Sequence, residues 1–208
     1  FPYALSALPE TLATQWDAPS FQQYRDAFPA EHRLCPAAFS AHVHDLMAKD
    51  LKIPYLKALQ GYLWTRGYES GALVCPLFPD VGPKLKEWHS TGKRIMIYSS
   101  GSVPAQKLLF RYTNSDPADL RPLISDYFDT VSAGPKTEKR SYETIAKTLP
   151  GVHVDRWLFL SDNVKEVVAA KEADMLSYVV VREGNAPLTE MEREGQVLIN
   201  TFREVDFK

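Results

Sequence analysis

The chain has 208 residues, of which 45% are hydrophobic and 24% charged, and its formal net charge is -2. That describes one sizeable globular domain, or a domain with an inserted or appended subdomain. It excludes the basic footprint of a nucleic-acid binder, and Cys35 and Cys75, with no CxxC spacing, make neither a disulfide framework nor a zinc site.

No apolar run approaches the length of a membrane span, and the N-terminus has no signal-peptide layout. The expected setting is therefore cytoplasmic, with the nucleus as a second compartment, and the expected state is a monomer. The first residue is Phe1 rather than Met, so it is not taken as the natural start.

The first stretch, to about residue 52, reads as helical and poor in strands. Leu5, Leu8, Leu12 and Trp16 recur at helical spacing behind a first-turn Pro2, and Pro9 is expected to kink or divide that helix. Ser20 is a candidate cap for a second helix carrying Phe21, Tyr24 and Phe28, which stops near Pro29. A third starts at Pro36 with Phe39, Val43, Leu46 and Met47 on one face. A fourth starts at Pro54, carries Tyr55, Leu56, Leu59, Leu63 and Trp64, and ends at Gly67. Tyr62 and Trp64 are expected to look towards a substrate crevice. His42 and His44 lie two apart and so do not share a helix face, which argues against a metal there.

The pattern changes near residues 71–78. A helix over 80–91 closes at Gly92 and turns Val81, Leu85 and Trp88 inward. Strands over 95–98, 127–131, 157–161 and 177–181 then alternate with helices over 103–111, 138–148 and 163–173. A helical turn near 188–194 and a last strand over 197–202 complete the chain. Such alternation predicts βαβ units and a parallel α/β sheet. The division is a helical region over 1–75 and an α/β core over 76–208.

In open α/β sheets, ligands bind beyond the carboxyl ends of the strands. Three of those ends carry chemistry. Ile95-Met96-Ile97-Tyr98 runs into Ser99-Ser100-Gly101-Ser102, whose hydroxyls and N–H groups, at the start of a helix, suit an anion. Gly134-Pro135-Lys136 is a turn delivering a lysine, a point charge suited to phosphate. Trp157-Leu158-Phe159-Leu160-Ser161 ends in Asp162, with Glu166 four residues on. As plain structure these residues would be a serine cap, a solvated lysine and an aspartate cap. Together, hydroxyl, lysine and carboxylate suit a phosphate with Mg²⁺, which binds a few carboxylates plus phosphate oxygens and water. The signatures of a serine hydrolase elbow, a Walker loop and a dinucleotide-binding loop are missing.

The stretches Ile97-Tyr98-Ser99-Ser100-Gly101-Ser102-Val103-Pro104-Ala105-Gln106-Lys107-Leu108-Leu109-Phe110, Leu158-Phe159-Leu160-Ser161-Asp162 and Val179-Val180-Val181-Arg182-Glu183-Gly184-Asn185-Ala186 resemble the enolase-phosphatases of methionine salvage, a branch of the haloacid dehalogenase superfamily. Phe1-Pro2-Tyr3 and Gln60-Gly61-Tyr62-Leu63-Trp64 extend the resemblance along nearly the whole chain. It implies a Rossmann-like parallel sheet of the haloacid dehalogenase type with a helical cap. It also implies a small phosphate-ester substrate, enolised and then dephosphorylated to an acireductone. Ser99 and Ser100 would hold the phosphoryl group, Lys136 would neutralise it within reach of Asp162 or Glu166, and Asp162 would bind Mg²⁺ with Glu166 beside it.

One departure stands out. The superfamily's aspartate nucleophile, at the end of a first strand in an Asp-x-Glu or Asp-x-Asp motif, would precede Phe1. Glu10 and Asp17 follow no apolar strand and do not replace it. The chain by itself is therefore expected to be a truncated, inactive form. That strand would run mid-sheet, between those ending at Ser99 and Asp162. The gap is expected to be closed by direct pairing of those two, by the cap or by a second chain. The alternatives are a non-catalytic phosphate-binding protein of the same fold, or a phosphatase for another ester.

Overall fold

The computed structural model describes residues 2–51 and 53–207. Phe1, which opens the Phe1-Pro2-Tyr3 segment, lies outside them, as do Lys52 and Lys208. The chain forms two compact units, Phe1–Val74 and Cys75–Lys208. Among the described residues no helix is long and apolar enough to cross a membrane.

The first unit holds α1 (Pro2–Gln15), α2 (Pro19–Asp26), α3 (Pro36–Ala48) and α4 (Pro54–Glu69). α1 runs through Pro9 without dividing. Pro9 is exposed, while Leu8 and Leu12 are buried on the other face and hold both halves of the helix in the core. α2 starts at Pro19 behind Ala18, not at a Ser20 cap, because proline at the first helical position presets the backbone there. α4 continues past Gly67. That glycine admits a neighbour: a Cβ there would lie 2.5 Å from the Tyr3 ring. Phe21, Phe28 and Phe39 fill the centre. Tyr62 joins them, with its ring 5.6 Å from Phe21 and 4.6 Å from Tyr24.

The second unit alternates α5 (Val81–Ser90), β1 (Ile95–Tyr98), α6 (Val103–Arg111), β2 (Ile124–Phe128), α7 (Lys139–Ala146), β3 (Leu158–Ser161), α8 (Val164–Glu172), β4 (Leu176–Val180), α9 (Glu190–Arg193) and β5 (Leu198–Ile199). Every strand pair is parallel. β2 lies earlier than the expected 127–131. It stops at Phe128 because the Asp129 carboxylate folds forward to accept the N–H groups of Val131 and Ser132. β5 is only two residues long, because Thr201 and Glu204 form a capping box that turns the chain into a short helix.

The sheet is in two pieces, β1-β2 and β3-β4-β5. Both pack on one apolar layer, where Leu85, Trp88, Ile95, Ile124, Val180 and Ile199 are buried and Ile97, Leu158 and Leu160 lie against them. On the other side Tyr98 of β1 and Phe159 of β3 both meet the buried Tyr142 ring, at 5.7 and 4.9 Å. β1 and β3 thus share their packing partners, yet among the described residues no backbone ladder joins them. Direct pairing, one of the expected ways to close the gap, does not occur among those residues.

Candidate active site

The hydroxyl turn follows β1. Ser99 is half-buried and donates its N–H to Phe128 O, while its Oγ accepts the Gly101 N–H at 3.1 Å. That leaves the Ser99 hydroxyl proton to be donated outward. Ser100 is exposed. The Asp129 carboxylate takes the Val103 N–H at 3.1 Å. The amide of Gly101, expected to face an anion, and that of Val103 are therefore already bonded within the chain. The Ser99 and Ser100 hydroxyls and the N–H groups of Ser100 and Ser102, which meet no acceptor among the described residues, are left to meet a ligand. The N–H of Ser132 is the main influence holding the Asp129 carboxyl below its ordinary range. Burial opposes it, and the N–H groups of Val103 and Val131 assist.

The lysine turn is held from several sides. Gly134 has φ +105°, and a Cβ on it would lie 2.7 Å from Ser141 Oγ, so only glycine fits without displacement. Ser141 Oγ donates to Pro135 O at 2.7 Å, Tyr142 OH to Lys136 O at 2.6 Å, and Tyr98 OH to Gly134 O at 2.6 Å. Burial pushes the Tyr98 and Tyr142 phenols up, so both stay protonated and keep donating at neutral pH. The Lys136 ammonium lies 5.8 Å from the ring of Tyr98, the last residue of β1, and 5.9 Å from the ring of Phe159, the second residue of β3. It also pairs with Glu166 at 2.6 Å, the two side chains being 19% and 12% exposed.

At the end of β3 the acids divide. Glu166 Oε2 accepts the Ser161 hydroxyl at 2.7 Å as well as the lysine. Asp162 is exposed and is not the cap of α8. Asn163 is, accepting the Lys165 N–H. Asp162 Oδ2 instead accepts from Asn185 Nδ2 at 3.0 Å, and Asn185 Oδ1 takes the Arg182 N–H at 2.6 Å. Arg182 is anchored to Asp80 at 2.6 Å and lies over the Phe78 and Phe202 rings. Burial alone would raise the Asp80 carboxyl, but the Arg182 and Phe202 hydrogen bonds outweigh it and hold it low.

The structure thus brings Lys136 and Glu166 together and holds Asp162 on a separate, neighbouring tether. Sequence reasoning passed over Gln106, Asp129 and Asn185. Asp129 was hidden inside an expected strand, and Asn185 came only as part of a resembling segment. Gln106 carried a signal that was not used, an amide on a helix with an otherwise apolar inner face.

No group of three or more His, Cys, Asp or Glu among the described residues could cage a metal. Mg²⁺ is commonly held by one or two carboxylates together with substrate phosphate and water. The exposed Asp162 fits that shared kind of site, and Glu166, bonded to Lys136 and Ser161, stands behind it.

No family model matches the chain. Similar proteins do. Enolase-phosphatase E1 of Botryotinia fuckeliana is 62% identical over 99% of this chain and 85% of its own length. Enolase-phosphatase E1 of Chaetomium globosum is 62% identical over 99% of this chain and 88% of its own length. The crystal structure of the UTR4 protein of Saccharomyces cerevisiae superposes with TM-score 0.85 at 36% identity, covering 99% of this chain and 90% of that one. CbbY of Rhodobacter sphaeroides, crystallised with phosphate, shares the fold at TM-score 0.59 and 17% identity.

Proposed function

The chain belongs to the enolase-phosphatase E1 family, phosphatases of the haloacid dehalogenase fold, and from that premise we propose a Mg²⁺-dependent enolase-phosphatase acting on a diketo-methylthiopentyl phosphate. The product of this reading is the acireductone of methionine salvage. The observation that carries it is the position of Lys136, whose ammonium lies by the Tyr98 ring at the end of β1 and the Phe159 ring of β3 and is paired with a half-buried carboxylate that accepts the hydroxyl of Ser161 at the end of β3. A lysine held in this way is a fixed positive charge for a phosphoryl group, not a solvated side chain.

In this reading the Ser99 and Ser100 hydroxyls donate to non-bridging phosphoryl oxygens, and Lys136 offsets the charge that gathers on them. Glu166 keeps Lys136 aimed at the crevice. Asp162, oriented by Asn185, is the carboxylate this chain offers to Mg²⁺. Held by Asp162, the ion would supply positive charge that offsets part of the charge of the phosphate.

The attacking carboxylate comes, in this reading, from a parallel strand lying between β1 and β3. Support lies in the two strand edges that no described residue pairs. Asp129 is a poor substitute, because its oxygens already accept three backbone N–H bonds. Without that strand, phosphate release should be undetectable, since the covalent route has no nucleophile.

The test assays the 208-residue chain with Mg²⁺ and the diketo phosphate, following phosphate release and enol absorbance. A longer chain carrying a preceding strand that ends in Asp-x-Glu is assayed beside it. Turnover only by the longer chain supports the reading. Equal turnover by both would remove the strand from it, and no turnover by either would remove the substrate.

A further inference from the structure

Gln106 is the polar residue on the inward face of α6. It is 3% exposed. Its Nε2 donates to Gly101 O and to Phe128 O, each at 2.8 Å. Phe128 O is also the acceptor for the Ser99 N–H. One amide group therefore ties both the start and the apex of the hydroxyl turn to the end of β2. Its Oε1 is buried with no partner among the described residues. An apolar side chain of that size would remove this unpaired acceptor but would strip Gly101 O of its donor. The donors, not the acceptor, are what this position supplies.

Asp129 braces the opposite flank, holding the Val103 N–H while it binds the next loop through Val131 and Ser132. Ser99 and Ser100 directly precede these braced positions. We propose that Gln106 is a positioning residue for phosphoryl binding: its amide donors lock the Ser99–Gly101 turn on β2, so that both hydroxyls meet the phosphoryl oxygens in one fixed geometry. The proposal rests on the phosphoryl role given above to Ser99 and Ser100. Preorganised donors bind without reorganising at each encounter, and loosening them weakens binding even where the fold is intact.

The experiment titrates inorganic phosphate into the chain with Mg²⁺ present, following heat or phosphorus resonance, for the wild type, Gln106→Met and Gln106→Glu. Gln106→Met keeps the length but donates nothing. It should weaken phosphate binding about tenfold, or about 1.4 kcal/mol. Amide exchange at Ser100 and Gly101 should quicken, while exchange in β4 stays as it was. Phosphate affinity equal to wild type in a folded Gln106→Met protein would overturn the proposal, whatever its melting temperature. If Gln106→Met does not fold, Gln106→Glu decides. A carboxylate facing two carbonyl oxygens repels them, and its protonated form donates again. Its phosphate affinity relative to wild type should therefore recover on acidification, and a flat ratio would refute the proposal. A wild-type chain that binds no phosphate would fell the reading of Ser99 and Ser100 itself, and this proposal with it. Binding retained in wild type and variant alike fells only the role of Gln106.

Discussion

Lys136 and Gly134 show how much a single position carries. The ammonium has an ion-pair partner, two aromatic faces and a backbone carbonyl held by Tyr142, so its place is set before any ligand arrives. In the strand-complete protein, Lys136→Ala should lower phosphatase turnover by at least ~100-fold, as losing one electrostatic stabiliser does. Unchanged steady-state turnover would show that the lysine serves only Glu166. Gly134→Ala is expected to destabilise the chain by about 1–3 kcal/mol, because φ +105° strains any side chain and Ser141 Oγ occupies the space. A denaturant midpoint equal to wild type would contradict this. Lys136, Ser99, Asp162 and Glu166 were legible in the sequence because strand ends and a Gly-Pro turn advertise them. Gln106 and Asn185 were not, since their partners are backbone groups whose proximity the chain order does not reveal.

Helices and strands followed local patterning except where a tertiary contact overrode it. Pro9 has the character of a breaker, yet buried neighbours carry the helix past it. Gly67 has that of a terminator, yet it makes room for the Tyr3 ring. The helical unit also contains a pH-sensitive contact. The His42 ring stacks on His32 at 3.6 Å between centroids, with an interplanar angle of 8°, and Phe28 meets it edge-on. Burial, then the neighbouring His32 charge, depresses the His42 pKa below its ordinary 6.5, Lys49 adding to this and Asp45 and Glu31 opposing. Because the folded form takes the proton less readily, acidification stabilises the unfolded chain. Stability from this group is full above pH 6.5 and is lost as pH falls through that value towards the lower folded pKa. Melting curves should show that loss in the wild type and less of it in His42→Phe. Parallel pH slopes for the two would rule out His42 as its source.

Across the whole molecule the open question is the gap in the sheet. Since Ser99 sends its N–H to β2, alternation points the amides of Met96 and Tyr98 the other way, along the edge of β1 that no described strand pairs. Unpaired buried backbone groups cost roughly 1–3 kcal/mol each, a large share of a domain's stability of about 5–15 kcal/mol. Hydrogen exchange should therefore be fast at Met96 and Tyr98 and slow at Val179, whose N–H bonds to Val197 O within the three-stranded piece. In a chain carrying the preceding strand, Met96 and Tyr98 should become protected. Slow exchange there in the present chain would mean that the edge is already paired in solution.

The sequence by itself determined the element types, the α/β class, the family resemblance and the strand ends at which the chemistry stands. These rest on periodicity, turn residues and local motifs, all carried by neighbours in the chain. Tertiary structure alone decided that Lys136, expected within reach of Asp162 or Glu166, pairs with Glu166, that Asn185 holds Asp162 and that Gln106 ties the hydroxyl turn to β2. It also decided that β1 and β3 share a core without a ladder between them. Apart from the Gln106 bond to Gly101, five residues away, each of these is a meeting of groups far apart in the chain, made by packing and hydrogen-bond direction, and local patterning has no means of encoding either one.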